Sequence, residues 1–286
     1  MTLLNILVLA IVQGAAELLP VSSSAHVIVC AKLMGLDPTR PEMTLLLVML
    51  HTGTMFAVIC YFWNSWKISF FSSRKVFWES VKRIAIATIL TGIVGIALKT
   101  LVERFMFRNV PHAEIELLFG NLLLISLALA AVGLLIIYAG RKVGGDHQET
   151  SLGVRESCWI GIVQGFCLPF RGFSRSGATI SVGLLLGVAR TRAEEFSFAL
   201  AVVLTPPIIV REVLRLLKVQ STQTLQGADI VGLLSPSLFG MVLSFVSGLL
   251  ALRWLSNWLE RGRWHLFGIY CLCASLVVYL LYRGGY

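Results

Sequence analysis

The chain has 286 residues, is 57% apolar and carries only 14% charged residues, with a formal net charge of +9. Soluble domains average about 25% charged residues, so too little charge is present to cover a water-facing surface and the surplus apolar side chains must meet lipid. A soluble enzyme or module is excluded. A nucleic-acid footprint is excluded as well, because the basic residues lie between apolar runs instead of clustering on one polar face. That pattern fits the positive-inside bias and anionic headgroups, so membrane lipids are expected partners and nucleic acid is not.

In chain order, the N-terminal run has no basic n-region and is expected to stay in the protein rather than be cleaved as a signal peptide. Residues 3–30 are apolar but interrupted by Gln13, Gly14, Glu17, Pro20 and the run Ser22-Ser23-Ser24. Near-continuous apolar runs follow at 44–63, 84–101 and 117–139, each long enough to cross a hydrocarbon core that needs about 20 residues. Residues 158–189 are apolar but broken by Gln164, Gly165, Pro169, Arg171, Gly172 and Ser174-Arg175-Ser176. Runs at 196–216, 229–252 and 264–282 complete the chain. Backbone that leaves the helix at membrane depth survives only where protein or a wet cavity covers it. The two broken regions therefore read as re-entrant pairs of short helices, each pair meeting at a polar turn. Tryptophans 63, 66, 254 and 258 read as interface anchors.

The expected fold is an all-α polytopic membrane protein, a single domain over 1–286, with six full spans and two re-entrant helix-turn-helix regions. The connection 64–83 holds Lys67, Arg74, Lys75, Lys82 and Arg83 against Glu79, which places it in the cytoplasm. Connections 140–157 and 253–263 then also fall inside, and 31–43, 102–116 and 217–228 fall outside. This order sends the first broken region in from outside and the second from the cytoplasm, as in an inverted repeat with halves near 1–140 and 150–286. The sequence itself repeats. Ile11-Val12-Gln13-Gly14 recurs as Ile162-Val163-Gln164-Gly165, and both copies continue into Leu-Pro and a serine cluster. The six cysteines form no CxxC pair and no metal-finger spacing, and read as small apolar packing residues.

The second turn carries Arg171, Gly172, Ser174, Arg175, Ser176, Gly177 and Thr179, with a helix starting near Ser176. A helix N-terminus offers unpaired N–H groups and partial positive charge, and an arginine fork suits phosphate oxygens. The bland alternative is a serine cap with an arginine paired to a carboxylate, Glu195 being one partner for Arg175. Arginine at membrane depth costs roughly 2.5 kcal/mol or more, which favours a phosphate site. In the first turn Gln13 and Glu17 stand four apart on one helical face. Glu17 suits a general base, or a metal ligand with Gln13 beside it, and the serines with His26 suit a nucleophile and a proton-transfer partner. Alternatively Glu17 balances Arg171 or Arg175, and His26 sits at an interface. His51 and Thr52 interrupt the 44–63 span and could line the same cavity.

These stretches resemble the undecaprenyl-diphosphate phosphatase family, also called the bacitracin-resistance protein family. Its (E/Q)xxxE motif followed by LPVSS and a nearby His reads here as Gln13 to Glu17, Leu19-Pro20-Val21-Ser22-Ser23 and His26. Its PGxSRSxxT signature is matched by Gly172-Phe173-Ser174-Arg175-Ser176-Gly177-Ala178-Thr179, with Arg171 in place of the opening proline. The resemblance covers nearly the whole chain. It implies hydrolysis of undecaprenyl diphosphate to undecaprenyl phosphate and inorganic phosphate, with a divalent cation such as Mg²⁺ or Ca²⁺ near Glu17 and Gln13. It implies a bacterial plasma membrane with the site opening to the outer face, recycling of the lipid carrier for cell-wall synthesis, and room for a homodimer. Glu17, Ser23, His26 and Arg175 are then the expected catalytic residues: Ser23 attacks or orients a water, and Glu17 and His26 handle protons. Gln13, Ser22, Ser24, Arg171, Ser174, Ser176 and Thr179 are expected to hold the polyprenyl diphosphate. A lipid transporter or flippase is the competing expectation, since inverted repeats and broken helices are transporter features.

Overall fold

A chain with this little charge satisfies its backbone polar groups internally, and helices do so within one segment. The computed structural model, which describes residues 2–36, 41–106, 120–142, 152–222 and 230–285, is helical in that way throughout. In order the helices are α1 (Leu3–Leu18), α2 (Ser23–Leu33), α3 (Pro41–Ser69), α4 (Arg74–Met106), α5 (Leu122–Lys142), α6 (Val154–Cys167), α7 (Arg175–Leu185), α8 (Arg190–Thr222), α9 (Ile230–Glu260) and α10 (Trp264–Arg283).

Five of these, α3, α4, α5, α9 and α10, have described stretches long and apolar enough to span a membrane. The sixth expected span, 196–216, lies within α8, a 33-residue helix that continues through Pro206 and Pro207. It is not among the five, although the search covered only the described residues. The connections are shorter than the apolar runs suggested. Most of 64–83 is helix, leaving only residues 70–73 between α3 and α4, and 253–263 shrinks to the turn 261–263. Helices do not stop where lipid stops: charged and aromatic residues carry them on into the interface, because ending a helix frees carbonyls that then need partners. Residues 37–40, 107–119, 143–151 and 223–229, in the other expected connections and at the starts of the expected spans 117–139 and 229–252, lie outside the described residues.

The two regions with interrupting polar residues fold as helix–break–helix segments, α1/α2 around residues 19–22 and α6/α7 around 168–174. The long helices build a wall around them. α3 and α1 pack on α9, α4 packs on α6, α5 packs on both α10 and α7, and α3 packs on α8. The largest buried cluster takes Leu18, Leu19 and Val21 from the first break and Ala178 and Ile180 from α7. It adds Ile136, Phe62, Leu252, Leu255 and Phe267 from the surrounding helices. The first break is thus enclosed by protein, the condition for backbone that leaves the helix within a membrane protein, whereas the second leaves Leu168 and Arg171 exposed. Opposite faces are apolar and exposed, as Ile89, Ile93 and Ile96 of α4 are at 58–69%, the surface that lipid covers. Trp66 is an exception among the expected anchors: it is buried against Phe62 and Phe70 and donates to the Glu195 carbonyl.

Candidate active site

The first break is set by Leu19-Pro20-Val21-Ser22. Proline has no N–H to donate and disfavours helical backbone at the residue before it, and α1 ends at Leu18 with Leu19 extended at φ −74° and ψ 151°. Ser22 follows with φ 68° and ψ 93°, the one positive φ at a non-glycine position among the described residues. A serine held there costs on the order of 1–3 kcal/mol and persists only when its surroundings over-determine it. Those surroundings are visible. The Ser22 carbonyl accepts from His26 Nδ1 at 2.8 Å, and the preceding Pro20 carbonyl accepts from the Cys271 thiol of α10 at 3.3 Å.

The second break closes with Ser174 as the cap of α7, its Oγ accepting from the Gly177 N–H at 3.2 Å. Gly172 sits at φ 98°, and a Cβ there would stand 2.6 Å from the Ile125 carbonyl of α5, so only glycine fits. The breaks interlock. The Gly172 N–H points at Ser24 Oγ at 3.4 Å, and Ser176 Oγ donates to the Leu19 carbonyl at 3.3 Å. Residues about 150 positions apart in sequence therefore share one site, and the N-termini of α2 and α7 both open into it.

Glu17 is its centre. One carboxylate oxygen, Oε1, accepts from Arg175 Nη2 at 3.0 Å. The other, Oε2, accepts from the Ser23 hydroxyl at 2.5 Å and from Gln13 Nε2 at 3.2 Å. The Gln13 amide also reaches His51 Nδ1 at 3.0 Å, and that nitrogen lies 3.8 Å from Glu17 Oε2. The carboxylate and Arg175 side chains keep 16% and 22% of their surface exposed, so the pair is half-shielded yet reachable. Arg175 therefore pairs with Glu17. Glu195, the alternative partner, is held elsewhere by Arg192, Ser65 and Ser69.

The remaining expected site residues fall in a shell around this core. Ser22 Oγ and Ser24 Oγ lie 3.3 Å apart, and Ser174 Oγ and Ser176 Oγ 3.4 Å apart. Thr179 is buried one turn along α7, hydrogen-bonded to Ser197 of α8 at 2.6 Å. Arg171 is exposed at the edge of the second break. His26 turns away from Ser23: Nδ1 faces the Ser22 carbonyl, and Nε2 lies 2.7 Å from the hydroxyl of Tyr270 on α10. Sequence reasoning missed Tyr270 altogether. Tyr270 is one of three tyrosines in α10, with nothing in the sequence to set it apart, and only its contact with His26 of α2 reveals it.

Ser23 and Arg175, the first residues of α2 and α7, meet on a single carboxylate, and a helix N-terminus carries about half a positive charge. The arrangement has the donor groups that a multiply charged anion needs. No side-chain bond caps α2 at Ser22, so its first N–H groups remain free of a side-chain cap, while Arg175 gives Glu17 only one of its five N–H donors. Beside those donors is a hydroxyl whose hydrogen already lies on a carboxylate, the arrangement that activates a serine nucleophile or a water.

No group of three His, Cys, Asp or Glu side chains able to hold a metal ion occurs among the described residues. Glu17 is the one carboxylate of the site, with the Gln13 side chain beside it. Magnesium commonly takes one or two carboxylates and completes its shell with water and substrate phosphates. The donor set fits a cation shared with a bound diphosphate, and does not fit one caged by protein alone.

Fold and site together define a polytopic membrane protein with a carboxylate–serine–arginine cluster between two helix breaks. The chain belongs to the family described as bacitracin resistance protein BacA, whose model matches residues 6–277. Among similar proteins, Undecaprenyl-diphosphatase 2 of Acinetobacter baylyi is 57% identical over 98% of both chains. The Undecaprenyl-diphosphatase of Rhodopirellula baltica is 30% identical over 98% of both, and that of Parabacteroides distasonis 32% identical over 95% of both.

Proposed function

We propose that this protein is an undecaprenyl-diphosphate phosphatase of the bacterial plasma membrane. The observation that carries the reading is the Ser23 hydroxyl donating at 2.5 Å to a carboxylate that also holds Arg175 at 3.0 Å. Full-length identity of 57% to a relative named for this activity supports it. The terminal phosphate is bound by Arg175, the N-termini of α2 and α7, and the hydroxyls of Ser24, Ser174 and Ser176. Gln13 and Ser22 frame the first break, Arg171 guides the diphosphate at the rim, and Thr179 supports α7 from below.

Ser23 Oγ attacks the terminal phosphorus in line while its proton passes to Glu17. The bond to the bridging oxygen breaks and undecaprenyl phosphate leaves. Water then attacks the phosphoserine, Glu17 returns its proton to the departing Ser23 Oγ, and the water's protons leave with the inorganic phosphate. Phosphoryl transfer asks little covalent chemistry of a protein beyond positioning and charge stabilisation, which this site supplies. A divalent cation, held by Glu17 with Gln13 alongside and by the diphosphate, would neutralise charge on the phosphate oxygens.

The lipid carrier for cell-wall synthesis is regenerated by this reaction, and the site opens to the outer face because the basic turn between α3 and α4 stays inside. The chain forms one domain, and α1/α2 and α6/α7 are the re-entrant pairs of an inverted repeat. The repeated Val-Gln-Gly supports that relation: a Cβ on Gly14 would stand 2.6 Å from the Ser244 carbonyl of α9, and one on Gly165 2.8 Å from the Thr91 carbonyl of α4. Both copies thus seat a long helix against a broken one. A homodimer leaves this site whole in each copy.

Phosphate release from undecaprenyl diphosphate in detergent with Mg²⁺, compared between wild type and Arg175→Ala, tests the reading. Turnover in the wild type that the variant loses is expected. A folded wild type inactive on several lipid diphosphates and metals would move the assignment to lipid transport.

A further inference from the structure

Tyr270 lies on α10, outside both broken segments, and is 47% exposed. Its hydroxyl lies 2.7 Å from His26 Nε2, and the two rings stack with centroids 5.7 Å apart and planes 14° from parallel. The other imidazole nitrogen, Nδ1, lies 2.8 Å from the Ser22 carbonyl. A carbonyl only accepts, so Nδ1 carries a hydrogen. In the neutral ring Nε2 is then the acceptor, and the Tyr270 hydroxyl donates to it. The carbonyl that Nδ1–H engages belongs to Ser22, whose φ of 68° turns the chain immediately before Ser23. With both nitrogens occupied, neither addresses the Ser23 hydroxyl, whose hydrogen bond goes to Glu17.

We propose that Tyr270 is a positioning residue: through His26 it clamps the left-handed Ser22 peptide and so aims Ser23 between Glu17 and the phosphate. His26 is in this arrangement a link in the clamp and not the base. The division of labour follows from the geometry. Glu17 takes the proton, while the chain Tyr270–His26–Ser22 holds the turn that presents the hydroxyl. The adjacent Cys271 thiol, on the Pro20 carbonyl at 3.3 Å, ties the same turn to the same helix. This inference rests on the phosphatase reading for its kinetic part only.

The test uses the full-length protein in detergent and three variants. Tyr270→Phe keeps the stacked ring and removes only the donor, so it is expected to fold and to lower kcat about tenfold with KM unchanged, the scale of one lost hydrogen bond. His26→Asn places an amide N–H where Nδ1–H stood. It is expected to retain turnover well above that of Ser23→Ala, and adding Tyr270→Phe to it is expected to change nothing further. Nitrogen-15 spectra of histidine-labelled protein, with the His26 signals assigned by their loss in His26→Asn, are expected to show the Nδ1–H tautomer in the wild type. Tyr270→Phe is expected to keep that tautomer, which the Ser22 carbonyl fixes, and to shift the Nε2 resonance as its hydrogen bond is lost. Full kcat in Tyr270→Phe, an unshifted Nε2 resonance in that variant, or a His26→Asn enzyme as inactive as Ser23→Ala would each overturn the clamp. The spectra need no substrate. A wild type that releases no phosphate would therefore defeat the phosphatase reading, and the Nε2 resonance would still decide whether Tyr270 engages His26.

Discussion

Glu17 holds a cation, a hydroxyl and an amide at once, and each contact has its own consequence. Glu17→Gln leaves an oxygen for Arg175 but removes the base, so phosphate release is expected to fall by about 10²-fold or more with the protein still folded. Ser23→Ala is expected to abolish release while leaving binding of an unreactive diphosphate analogue within a few-fold, as an equilibrium binding assay would show. Arg175→Ala acts twice, because it strips the phosphate of its guanidinium and leaves a part-buried carboxylate unpaired. Loss of thermal stability should accompany its loss of activity, since unpairing a buried charge costs roughly 3–5 kcal/mol when burial is complete and less here. Gln13→Glu would set a second carboxylate four residues from Glu17. More ligand charge binds a divalent cation more tightly, so the Mg²⁺ concentration for half-maximal activity is expected to drop.

At the scale of elements, the site exists because two helices are interrupted and then locked together. Gly172 is where the lock is tightest, with φ 98° and the Ile125 carbonyl where a side chain would begin. Gly172→Ala is expected to separate the second break from α5, lowering the unfolding temperature and turnover together, since backbone forced from such a position costs on the order of 1–3 kcal/mol. Much of this architecture was legible beforehand. The polar interruptions at Gln13–Ser24 and Gln164–Ser176 mark where helices break, because polar residues inside apolar runs are too costly to be incidental. The N-terminus of α7 was readable to within a residue: apolar residues from Ile180 put its start near Ser176, serine being a favoured cap, and α7 begins at Arg175. Helix ends elsewhere were not: α3 and α4 run through most of 64–83, and nothing in hydropathy separates an interfacial helix from a loop.

For the whole molecule, orientation decides which side of the membrane supplies substrate. The turn of residues 70–73 separates α3 from α4 beside Lys67, Arg74 and Lys75. Ser72→Cys in a cysteine-free background is expected to react with a membrane-impermeant maleimide only after intact cells are permeabilised, as the positive-inside bias requires. Labelling of intact cells would reverse the orientation and with it the face on which the site opens. Trp66 shows why a residue's place in the whole is hard to read from type alone. Tryptophan suits an interface, yet a ring that can stack between Phe62 and Phe70 and donate to Glu195 is buried instead.

What the amino-acid sequence determined by itself was the environment, the helical class, the two broken segments and the chemical types gathered in them. All of these follow from the cost of placing polar groups in lipid, which is paid residue by residue along the chain. Which groups meet was decided only by tertiary structure. Arg175 pairs with Glu17 and not with Glu195, Ser23 faces Glu17, and His26 turns to Tyr270, 244 positions away. Those pairings depend on how α10 and the two breaks pack, and the direction of a side chain across a helix interface leaves no periodic trace in sequence.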